Sequence, residues 1–438
     1  MYLHGTSKRN EHGQLSIGGV EAVELAKQFG TPLYVYDEQL LRDNCRAYIH
    51  AFQQSGMKFQ VTYASKAFCT MAMCKLVEQE GLGLDVVSGG ELHTAVQAGF
   101  PVERIHFHGN NKSLEEISYA LDIGIGTFIV DNFYELQVLE HLAAEKEKSC
   151  HVMLRITPGV EAHTHEYITT GQEDSKFGFD LGSGAVRKAI DLALKKDHLQ
   201  LIGLHMHIGS QIFETTGFQI AIERVADVYR EVLNTHNLEL PVVNLGGGLG
   251  IRYTSEDTPL KIEHFVSTLT DVIQQEFSAR NLHYPEIWLE PGRSIVATAG
   301  TTLYTVGSRK EIPGVRTYLA VDGGMSDNLR PALYQAKYEA TIANRMNQPH
   351  DEVVSIAGKC CESGDMLIWD IPLPKTEPGD ILAVSCTGAY HYSMANNYNR
   401  IARPAVVFVK DGRGEIVVRR ESAEDIVRCD RIPDSLRA

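Results

Sequence analysis

The sequence has no long apolar run and no excess of positive charge. No uninterrupted apolar stretch among its 438 residues is long enough to span a bilayer, and residues 1–10 contain nothing like the apolar segment of a secretory signal peptide. Lysine and arginine total 41 against 56 acidic residues, which gives a formal net charge of −15. This balance argues against nonspecific binding to nucleic acid or to an anionic membrane. We therefore expect a soluble, cytoplasmic protein.

Cysteine is also sparse. The eight cysteines are spread over the chain and no Cys-x-x-Cys pair recurs, so neither a disulfide framework nor a zinc site is indicated. Adjacent Cys360 and Cys361 stand out because neighbouring cysteines rarely bridge each other and the polar residues after them are typical of a loop. We expect reduced thiols, no metal, and a candidate reactive thiol in this pair.

Apolar, β-branched runs alternate with helical segments between residues 58 and 290. The predicted strands are 60–64, 83–87, 105–108, 127–130, 151–156, 201–207, 241–245 and 286–290. The predicted helices are 67–80, 90–99, 113–123, 132–147, 184–197, 217–237 and 261–281, with one more at 38–55 before the first strand. Alternation implies parallel strands with right-handed crossovers, and eight strands favour an α/β fold of the (β/α)8 TIM-like barrel type over an open sheet.

After residue 299 the pattern changes to strand-like runs separated by glycine, proline and aspartate. These runs are 302–306, 317–321, 353–357, 381–385, 405–409 and 416–418. We predict a β-sandwich or β-barrel-like domain formed by residues 1–35 and 299–438, with the barrel at 36–298. Residues 33–36 form a further strand that fits either domain.

Lys66 is the most informative residue, because it ends the apolar run Val61-Thr62-Tyr63-Ala64-Ser65. A lysine desolvated at the mouth of a strand has a lowered pKa and a free amine that can form a Schiff base, although most lysines that end a strand are solvated caps. His108, His207, the glycines of 246–250 and Glu290 also follow predicted strands. Barrel chemistry gathers at these strand ends, so the clustering favours catalysis.

The glycine run Gly246-Gly247-Gly248 allows backbone N–H groups to approach an anion, and barrels often hold phosphate after strands seven and eight. A tight turn without a ligand is the alternative. Beside a Schiff-base lysine, a phosphate site suggests pyridoxal 5′-phosphate. Glu290 is placed to keep the ring nitrogen of this cofactor protonated; the alternative is an ion pair with Arg293. His207 is placed to stack on the ring; the alternative is a core histidine that is hydrogen-bonded to the backbone.

Six motifs stand out in the order in which they occur. They are Tyr63-Ala64-Ser65-Lys66-Ala67, His207-Ile208-Gly209-Ser210-Gln211, Gly246-Gly247-Gly248, Glu290-Pro291-Gly292-Arg293, Cys361-Glu362-Ser363-Gly364-Asp365 and Gly388-Ala389-Tyr390. In this order they resemble the diaminopimelate decarboxylase family of fold-type III pyridoxal phosphate enzymes. The resemblance covers nearly the whole chain. It implies decarboxylation of meso-2,6-diaminopimelate at its D-centre to give L-lysine and CO2, the last step of lysine biosynthesis.

The resemblance also implies residue roles. Lys66 would carry the cofactor as a Schiff base, with His207 on its ring and Glu290 at its nitrogen. The remaining cofactor contacts would be Ser210, Gly248, Pro291, Gly292, Arg293 and Tyr390. The substrate contacts would be Arg293, Arg330, Tyr334, Glu362 and Tyr390. Cys361 matches the proposed proton donor, although Lys66 itself remains an alternative. The family's sites lie at a dimer interface, which implies a catalytically obligatory homodimer in which Cys361 and Glu362 reach into the partner's barrel.

The chemistry of the substrate agrees with these residue types. Diaminopimelate carries an amino group and a carboxylate at both ends, so its distal end needs arginines and an acid. Ornithine and arginine decarboxylases share the scaffold, but their substrates lack the distal carboxylate. Alanine racemase places an arginine at the pyridine nitrogen, where this chain has Glu290, and a noncatalytic pyridoxal phosphate carrier is a lone barrel. We further expect the loop 160–176, with His163 and His165, to cover the site rather than to bind a metal.

Overall fold

The computed structural model describes residues 1–160 and 175–437. Residues 161–174, which make up most of the loop predicted to cover the site, lie outside the described residues. The chain divides into two compact units: unit 1 comprises Met1–Leu41, Arg252–Asp257 and Val296–Ala438, and unit 2 comprises Arg42–Ile251 and Thr258–Ile295. No helix in the described part of the chain combines the length and the apolar character needed to cross a membrane.

Unit 1 starts with short elements from the beginning of the chain. They are β1 (Lys8–Arg9), β2 (Leu15–Ile17), β3 (Val20–Glu21), α1 (Ala22–Phe29) and β4 (Leu33–Asp37). The first three strands pair as an antiparallel sheet. Helix α2 (Glu38–Ser55) then leads into unit 2.

Unit 2 alternates strands and helices. Its strands are β5 (Phe59–Ala64), β6 (Gly83–Val86), β7 (Ile105–Phe107), β8 (Thr127–Val130), β9 (Cys150–Thr157), β10 (Phe179–Asp180), β11 (Leu199–Met206), β12 (Val242–Asn244) and β13 (Glu286–Leu289). Its further helices are α3 (Met71–Gln79), α4 (Gly89–Gln97), α5 (Leu114–Ile123), α6 (Phe133–Glu145), α7 (Ala185–Ala193), α8 (Thr216–His236), α9 (Ile262–Ala279) and α10 (Arg293–Val296), the last of which ends one residue into unit 1.

Among the described residues, eight of these strands form one closed parallel barrel. Their order is β5-β6-β7-β8-β9-β11-β12-β13, and β13 pairs back with β5. The predicted TIM-like barrel is therefore confirmed. Helix α8 shows how the sequence produces the outer ring: its buried side chains recur at helical spacing, so one stripe faces the barrel, as in Phe218, Ile222, Val225, Tyr229 and Val232.

The segment that carries Lys66 differs from the prediction. Instead of a helix from residue 67, Ser65–Ala67 form a single 3₁₀ turn, and α3 begins only at Met71. The helix begins there because the Thr70 side chain accepts a hydrogen bond from the Met73 N–H, as an N-cap does. Lys66 thus lies in the 3₁₀ turn, and residues 68–70, which include the extended Phe68 and Thr70, separate this turn from α3.

The rest of unit 1 consists mainly of β-strands, as predicted for the C-terminal part of the chain. Its strands are β14 (Gly300–Ile312), β15 (Arg316–Val321), β16 (Ala340–Ile342), β17 (Glu352–Ala357), β18 (Met366–Leu373), β19 (Ile381–Ser385), β20 (Ala405–Lys410) and β21 (Arg413–Val418), with helices α11 (Arg330–Tyr334) and α12 (Ala423–Val427). The sheet order is β18-β17-β15-β14-β4-β20-β21, and β19 pairs with β14 and β16. Strand β4 therefore belongs to the β unit, which answers the question the sequence left open.

Candidate active site

The side chains with catalytic chemistry in unit 2 follow the C-terminal ends of barrel strands. Lys66 comes two residues after β5, His207 directly follows β11, the glycine run 246–248 follows β12, and Glu290 directly follows β13. Because parallel strands end at the same edge of a barrel, these residues lie on one face. The structure thus brings together the unit 2 residues that the sequence singled out.

Glu290 is a buried carboxylate with several donors around it. Its Oε2 accepts a hydrogen bond from His205 Nε2 at 3.0 Å, and its Oε1 accepts one from Asn244 Nδ2 at 2.5 Å. His108 Nε2 lies 3.1 Å from Oε1. Burial by itself would raise the pKa of Glu290, but the imidazoles of His108 and His205 hold it well below its usual range. Glu290 is therefore ionised.

A second carboxyl group, Asp85 of β6, is buried in the same cluster. Its Oδ1 lies 3.6 Å from His106 Nδ1 and 3.4 Å from His108 Nε2. Burial, and then the charge on Glu290, raise the pKa of Asp85 well above its usual value. Burial lowers the pKa of His106 to about 3 and that of His108 to about 4. The cluster therefore holds its negative charge on Glu290 rather than on Asp85.

His207 is a neutral imidazole close to Lys66. Burial lowers its pKa well below the usual value, and the charges of Lys66 and Arg155 lower it further. Its Nδ1 accepts a hydrogen bond from the Gly247 N–H at 3.3 Å. This contact fixes the ring against the glycine run. The side chain of Lys66 itself is exposed.

The glycine run has no room for side chains. Gly248 has a φ of +131°, and a Cβ there would lie 2.7 Å from the carbonyl oxygen of Gly209. A Cβ on Gly247 would lie 2.2 Å from the carbonyl oxygen of Glu290. Only glycine therefore allows the backbone to pass here, and the run is a built feature rather than an ordinary turn.

Arg293 and Ser210 form the other polar contact at this face. The guanidinium of Arg293 donates to Ser210 Oγ from Nε at 3.2 Å and from Nη2 at 3.0 Å, and only 6% of Arg293 is exposed. The preceding residues are tied to the end of β5, since Ala64 N–H donates to the Pro291 carbonyl oxygen at 3.1 Å and a Cβ on Gly292 would lie 3.1 Å from the Cβ of Ala64.

These residues fit pyridoxal 5′-phosphate. Lys66 offers an amine for its aldehyde, the glycine run offers backbone N–H groups without Cβ atoms for its phosphate, and Glu290 offers an ionised carboxylate for its ring nitrogen. The neutral ring of His207 suits stacking better than an imidazolium would, because pyridoxal phosphate with a protonated nitrogen would repel a second cation.

The predicted substrate residues in unit 1 form a separate cluster around Arg330, which starts α11. Arg330 Nε donates to Tyr338 Oη at 2.9 Å, and its guanidinium lies 5.4 Å from the ring centre of Tyr334 and 5.5 Å from that of Tyr390. Tyr390 has a φ of +65°, which is unusual for a residue with a side chain and is often found at functional sites. The structure therefore brings Arg330, Tyr334 and Tyr390 together.

Cys361 and Glu362 lie on a loop that is held in place by a buried carboxyl group. Asp365 accepts hydrogen bonds from the Cys360 N–H at 2.7 Å and the Met325 N–H at 2.6 Å, and the Cys361 N–H donates to Asn399 Oδ1 at 2.7 Å. The loop backbone is thus fixed, whereas Cys361 and Glu362 are both exposed. Their side chains are available to a second molecule.

Sequence reasoning missed three members of the Glu290 cluster: Asp85, His106 and Asn244. Each lies within a short strand rather than after it. One signal for them was present in the sequence: each is a polar residue in an otherwise apolar strand. A side chain of a barrel strand faces either the barrel interior or a helix, so a polar residue there is buried and needs a partner.

Comparison with known proteins gives consistent matches over the full chain. Residues 39–297 match the family model described as the pyridoxal binding domain of pyridoxal-dependent decarboxylases. The chain is 61% identical to a diaminopimelate decarboxylase of Bacillus subtilis (strain 168), over 98% of each sequence, and 58% identical to one of Bacillus methanolicus, over 96% of this chain and 98% of the relative. Among solved structures, diaminopimelate decarboxylase from M. jannaschii in complex with L-lysine matches with a TM-score of 0.92 and 39% identity, covering 98% of this chain and 99% of that one.

Proposed function

Since this chain belongs to the diaminopimelate decarboxylase family of pyridoxal-dependent enzymes, we propose that Lys66 carries its cofactor and that Glu290 holds the pyridine nitrogen of that cofactor. The family resemblance drawn from the six motifs is confirmed by the full-length matches. The protein is a pyridoxal 5′-phosphate-dependent decarboxylase that converts meso-2,6-diaminopimelate to L-lysine and CO2. The observation that carries the residue assignment is the buried, ionised Glu290 on the same barrel face as Lys66.

The cofactor, when bound, supplies an electron sink for the carbanion that loss of CO2 leaves behind. The protein supplies the geometry. Ionised Glu290 would favour a proton on the ring nitrogen, and the neutral ring of His207, fixed by the Gly247 N–H, would stack on one face of the pyridine. The N–H groups around Gly248, with Ser210 and Tyr390, would bind the phosphate. Pro291 and Gly292 would contact the cofactor next to the end of β5.

The distal end of the substrate carries a carboxylate and an ammonium group. Arg330 and Arg293 bind the carboxylate, and Glu362 binds the ammonium. Arg330 suits this role because it is almost buried and its side chain is already oriented by Tyr338, so little side-chain entropy is lost on binding. Tyr334 and Tyr390 line the same pocket. The exposed thiol of Cys361 returns the final proton, with the amine of Lys66 as the competing donor.

The active enzyme is a cytoplasmic homodimer in which Cys361 and Glu362 of one protomer complete the site of its partner. Their exposure on a rigid loop supports this arrangement. The cofactor-binding domain spans residues 38–298, and residues 1–37 and 299–438 form the β domain; the predicted boundary at residue 36 moves to the end of β4, because β4 pairs with β14 and β20. The match of the pyridoxal-binding family model to residues 39–297 supports these boundaries.

The experiment that tests this function measures CO2 release from meso-diaminopimelate, L-ornithine, L-arginine and L-lysine by the purified holoenzyme. We expect release from meso-diaminopimelate alone, because only this substrate has the distal carboxylate that two arginines would bind. Borohydride reduction followed by peptide mass spectrometry should place the cofactor on Lys66. Preference for one of the other amino acids would contradict the substrate, and label on a different lysine would contradict the role of Lys66.

A further inference from the structure

Glu290 is held from two sides by side chains of two neighbouring barrel strands, β11 and β12. Asn244, fully buried at the end of β12, donates to Oε1, and His205, 1% exposed in β11, donates to Oε2. His108 Nε2 lies near Oε1 as well, but its N–H is not aligned for a hydrogen bond. Asn244 and His205 therefore make the two direct hydrogen bonds that orient the carboxylate.

The orientation of the Asn244 amide is determined by its neighbours. Its Oδ1 accepts a hydrogen bond from the Gly246 N–H at 2.9 Å, and a backbone N–H can only donate. The Nδ2 group must therefore be the one that faces Glu290. Asn244 thus connects the carboxylate of Glu290 to the first glycine of the run that follows β12.

The tautomer of His205 follows from a similar argument. Its Nδ1 is buried without a hydrogen-bond partner, so a proton there would be an unsatisfied buried donor and would leave a lone pair of Nε2 facing a carboxylate. The proton is therefore on Nε2. A carboxylate has about four acceptor positions, and these donors leave an open position on Oε2.

We propose that Asn244 and His205 are positioning residues that hold the carboxylate of Glu290 turned so that its open acceptor position on Oε2 would receive the pyridine N–H of the cofactor. This inference rests on the proposed role of Glu290. It adds that Asn244 links the two ends of the cofactor site, because the same amide orients the carboxylate at the ring nitrogen and the first glycine of the phosphate-binding run.

A bound cation is the competing explanation for part of this cluster. Among the described residues, ligand atoms of His108, His205 and Glu290 lie within 4.8 Å of one another. A cation, however, would need the Nε2 lone pair of His205, whereas the environment of this ring places a proton there. The donor Nδ2 of Asn244 also points at the same carboxylate, which suits an anion without a metal.

The test compares two pairs of variants. His205→Phe removes the donor, and His205→Gln keeps an N–H near the position of Nε2. Asn244→Leu removes both hydrogen bonds of the amide, and Asn244→Asp keeps the acceptor for Gly246 but donates to Glu290 only when the new carboxyl group is protonated. Asn44→Ala, which removes a hydrogen bond to the Ile295 carbonyl oxygen elsewhere in unit 2, is the matched control.

We expect His205→Phe and Asn244→Leu to lower kcat about tenfold to a hundredfold, the effect of one hydrogen bond to a charged group, with KM changed less than about twofold. Asn244→Leu should also raise the dissociation constant of pyridoxal 5′-phosphate, measured by titrating the apoenzyme and following protein fluorescence. His205→Gln should recover most of kcat. Relative to the wild type, Asn244→Asp should lose activity as the pH rises, because ionisation removes its donor and places a second negative charge beside Glu290.

The proposal would be overturned if all four variants kept the kcat, the cofactor affinity and the pH profile of the wild type. It would also be overturned if metal analysis of the wild-type holoenzyme found one tightly bound zinc per chain. Equal losses of kcat in His205→Gln and His205→Phe would also overturn it. They would show that the lost packing of the imidazole, and not the lost N–H donor, lowers the activity. A fully active Glu290→Ala variant would instead contradict the proposed role of Glu290, and the two failures are thus distinguishable.

Discussion

At the scale of single residues, the site depends on how the same chemical group behaves in different surroundings. Glu290 and Asp85 are both buried carboxyl groups in one cluster, but the pKa of Glu290 is lowered and that of Asp85 is raised. The difference arises because the imidazoles of His108 and His205 lower the pKa of Glu290, whereas burial and then the charge on Glu290 raise the pKa of Asp85. One negative charge is therefore retained, at the position where the cofactor nitrogen needs it.

The glycine run provides a prediction at this scale. Gly248→Ala should raise the dissociation constant of pyridoxal 5′-phosphate about tenfold to a hundredfold, because the new Cβ would meet the Gly209 carbonyl oxygen and the φ of +131° is strained for alanine. The measurement is a fluorescence titration of the apoenzyme. The control is Gly90→Ala inside α4, where a Cβ would lie 3.7 Å from Ser88 Oγ and so has room. This variant should bind pyridoxal 5′-phosphate as the wild type does. Equal affinities in the two variants would mean that the run does not contact the phosphate.

The candidate residues differ in how far the sequence could identify them. Lys66, His207 and Glu290 each follow an apolar run, so their position at a strand end was readable from the order of residues. Asn244 and Asp85 lie inside strands of three and four residues, where the direction of a side chain depends on the register of the neighbouring strands. The register is a property of the closed sheet, and a single sequence does not contain it in a readable form.

At the scale of elements, Glu421 connects two segments of unit 1 that flank β20 and β21. Its carboxylate accepts hydrogen bonds from the Arg403 backbone N–H at 2.9 Å, from Arg403 Nε at 2.8 Å and from Asn397 Nδ2 at 2.6 Å. Burial alone would raise the pKa of Glu421, but these donors lower it to about 2. The carboxylate therefore stabilises the folded state when it is ionised.

The pH dependence of this contribution is predictable. The folded pKa is below the ordinary value of 4.5, so the stabilisation is complete above pH 4.5 and is lost as the pH falls to about 2. We expect Glu421→Gln to lower the free energy of unfolding by about 1–2 kcal/mol at pH 7, allowing for solvent screening, and by progressively less below pH 4.5. Thermal melts over this pH range measure it, with exposed Glu415→Gln as the control. A loss that is the same at pH 3 and pH 7 would contradict the assignment.

The elements themselves were predictable where the pattern was regular. All eight barrel strands and the helices between them lie within a few residues of their predicted positions, because each strand is a short, mostly apolar run and each helix repeats its apolar residues at helical spacing. Strand β18 was missed since Asp370, with a φ of +50°, and Pro372 interrupt its apolar run. The start of α3 was placed too early because the Thr70 cap depends on one side-chain hydrogen bond.

At the scale of the whole molecule, the proposed sharing of active sites can be tested by mixing variants. Lys66→Ala and Cys361→Ala should each have little activity, but mixed dimers should contain one site in which both residues are intact. With random pairing, half of the dimers are mixed and one of their two sites works, so about a quarter of wild-type activity should return. Co-expression with two affinity tags and assay of the mixture measures this.

The control for this experiment combines Lys66→Ala with Glu290→Ala. Both residues belong to unit 2, so a mixed dimer has one defect in each barrel and no intact site. Activity should not return. Recovery in this pair, or none in the first pair, would contradict the proposal that each site draws Cys361 from the partner.

The central position of β4 in its sheet also affects the order in which the protein can fold during synthesis. This strand pairs with β14 on one side and with β20 on the other, where Leu33 lies opposite Ala405. At about 5–20 residues per second, a ribosome needs on the order of 20 to 70 s to proceed from Asp37 to Ala405. The barrel strands emerge during that interval, while β4 keeps an unpaired edge. A nascent chain should therefore expose the apolar strand β4 to chaperones until β20 has left the ribosome.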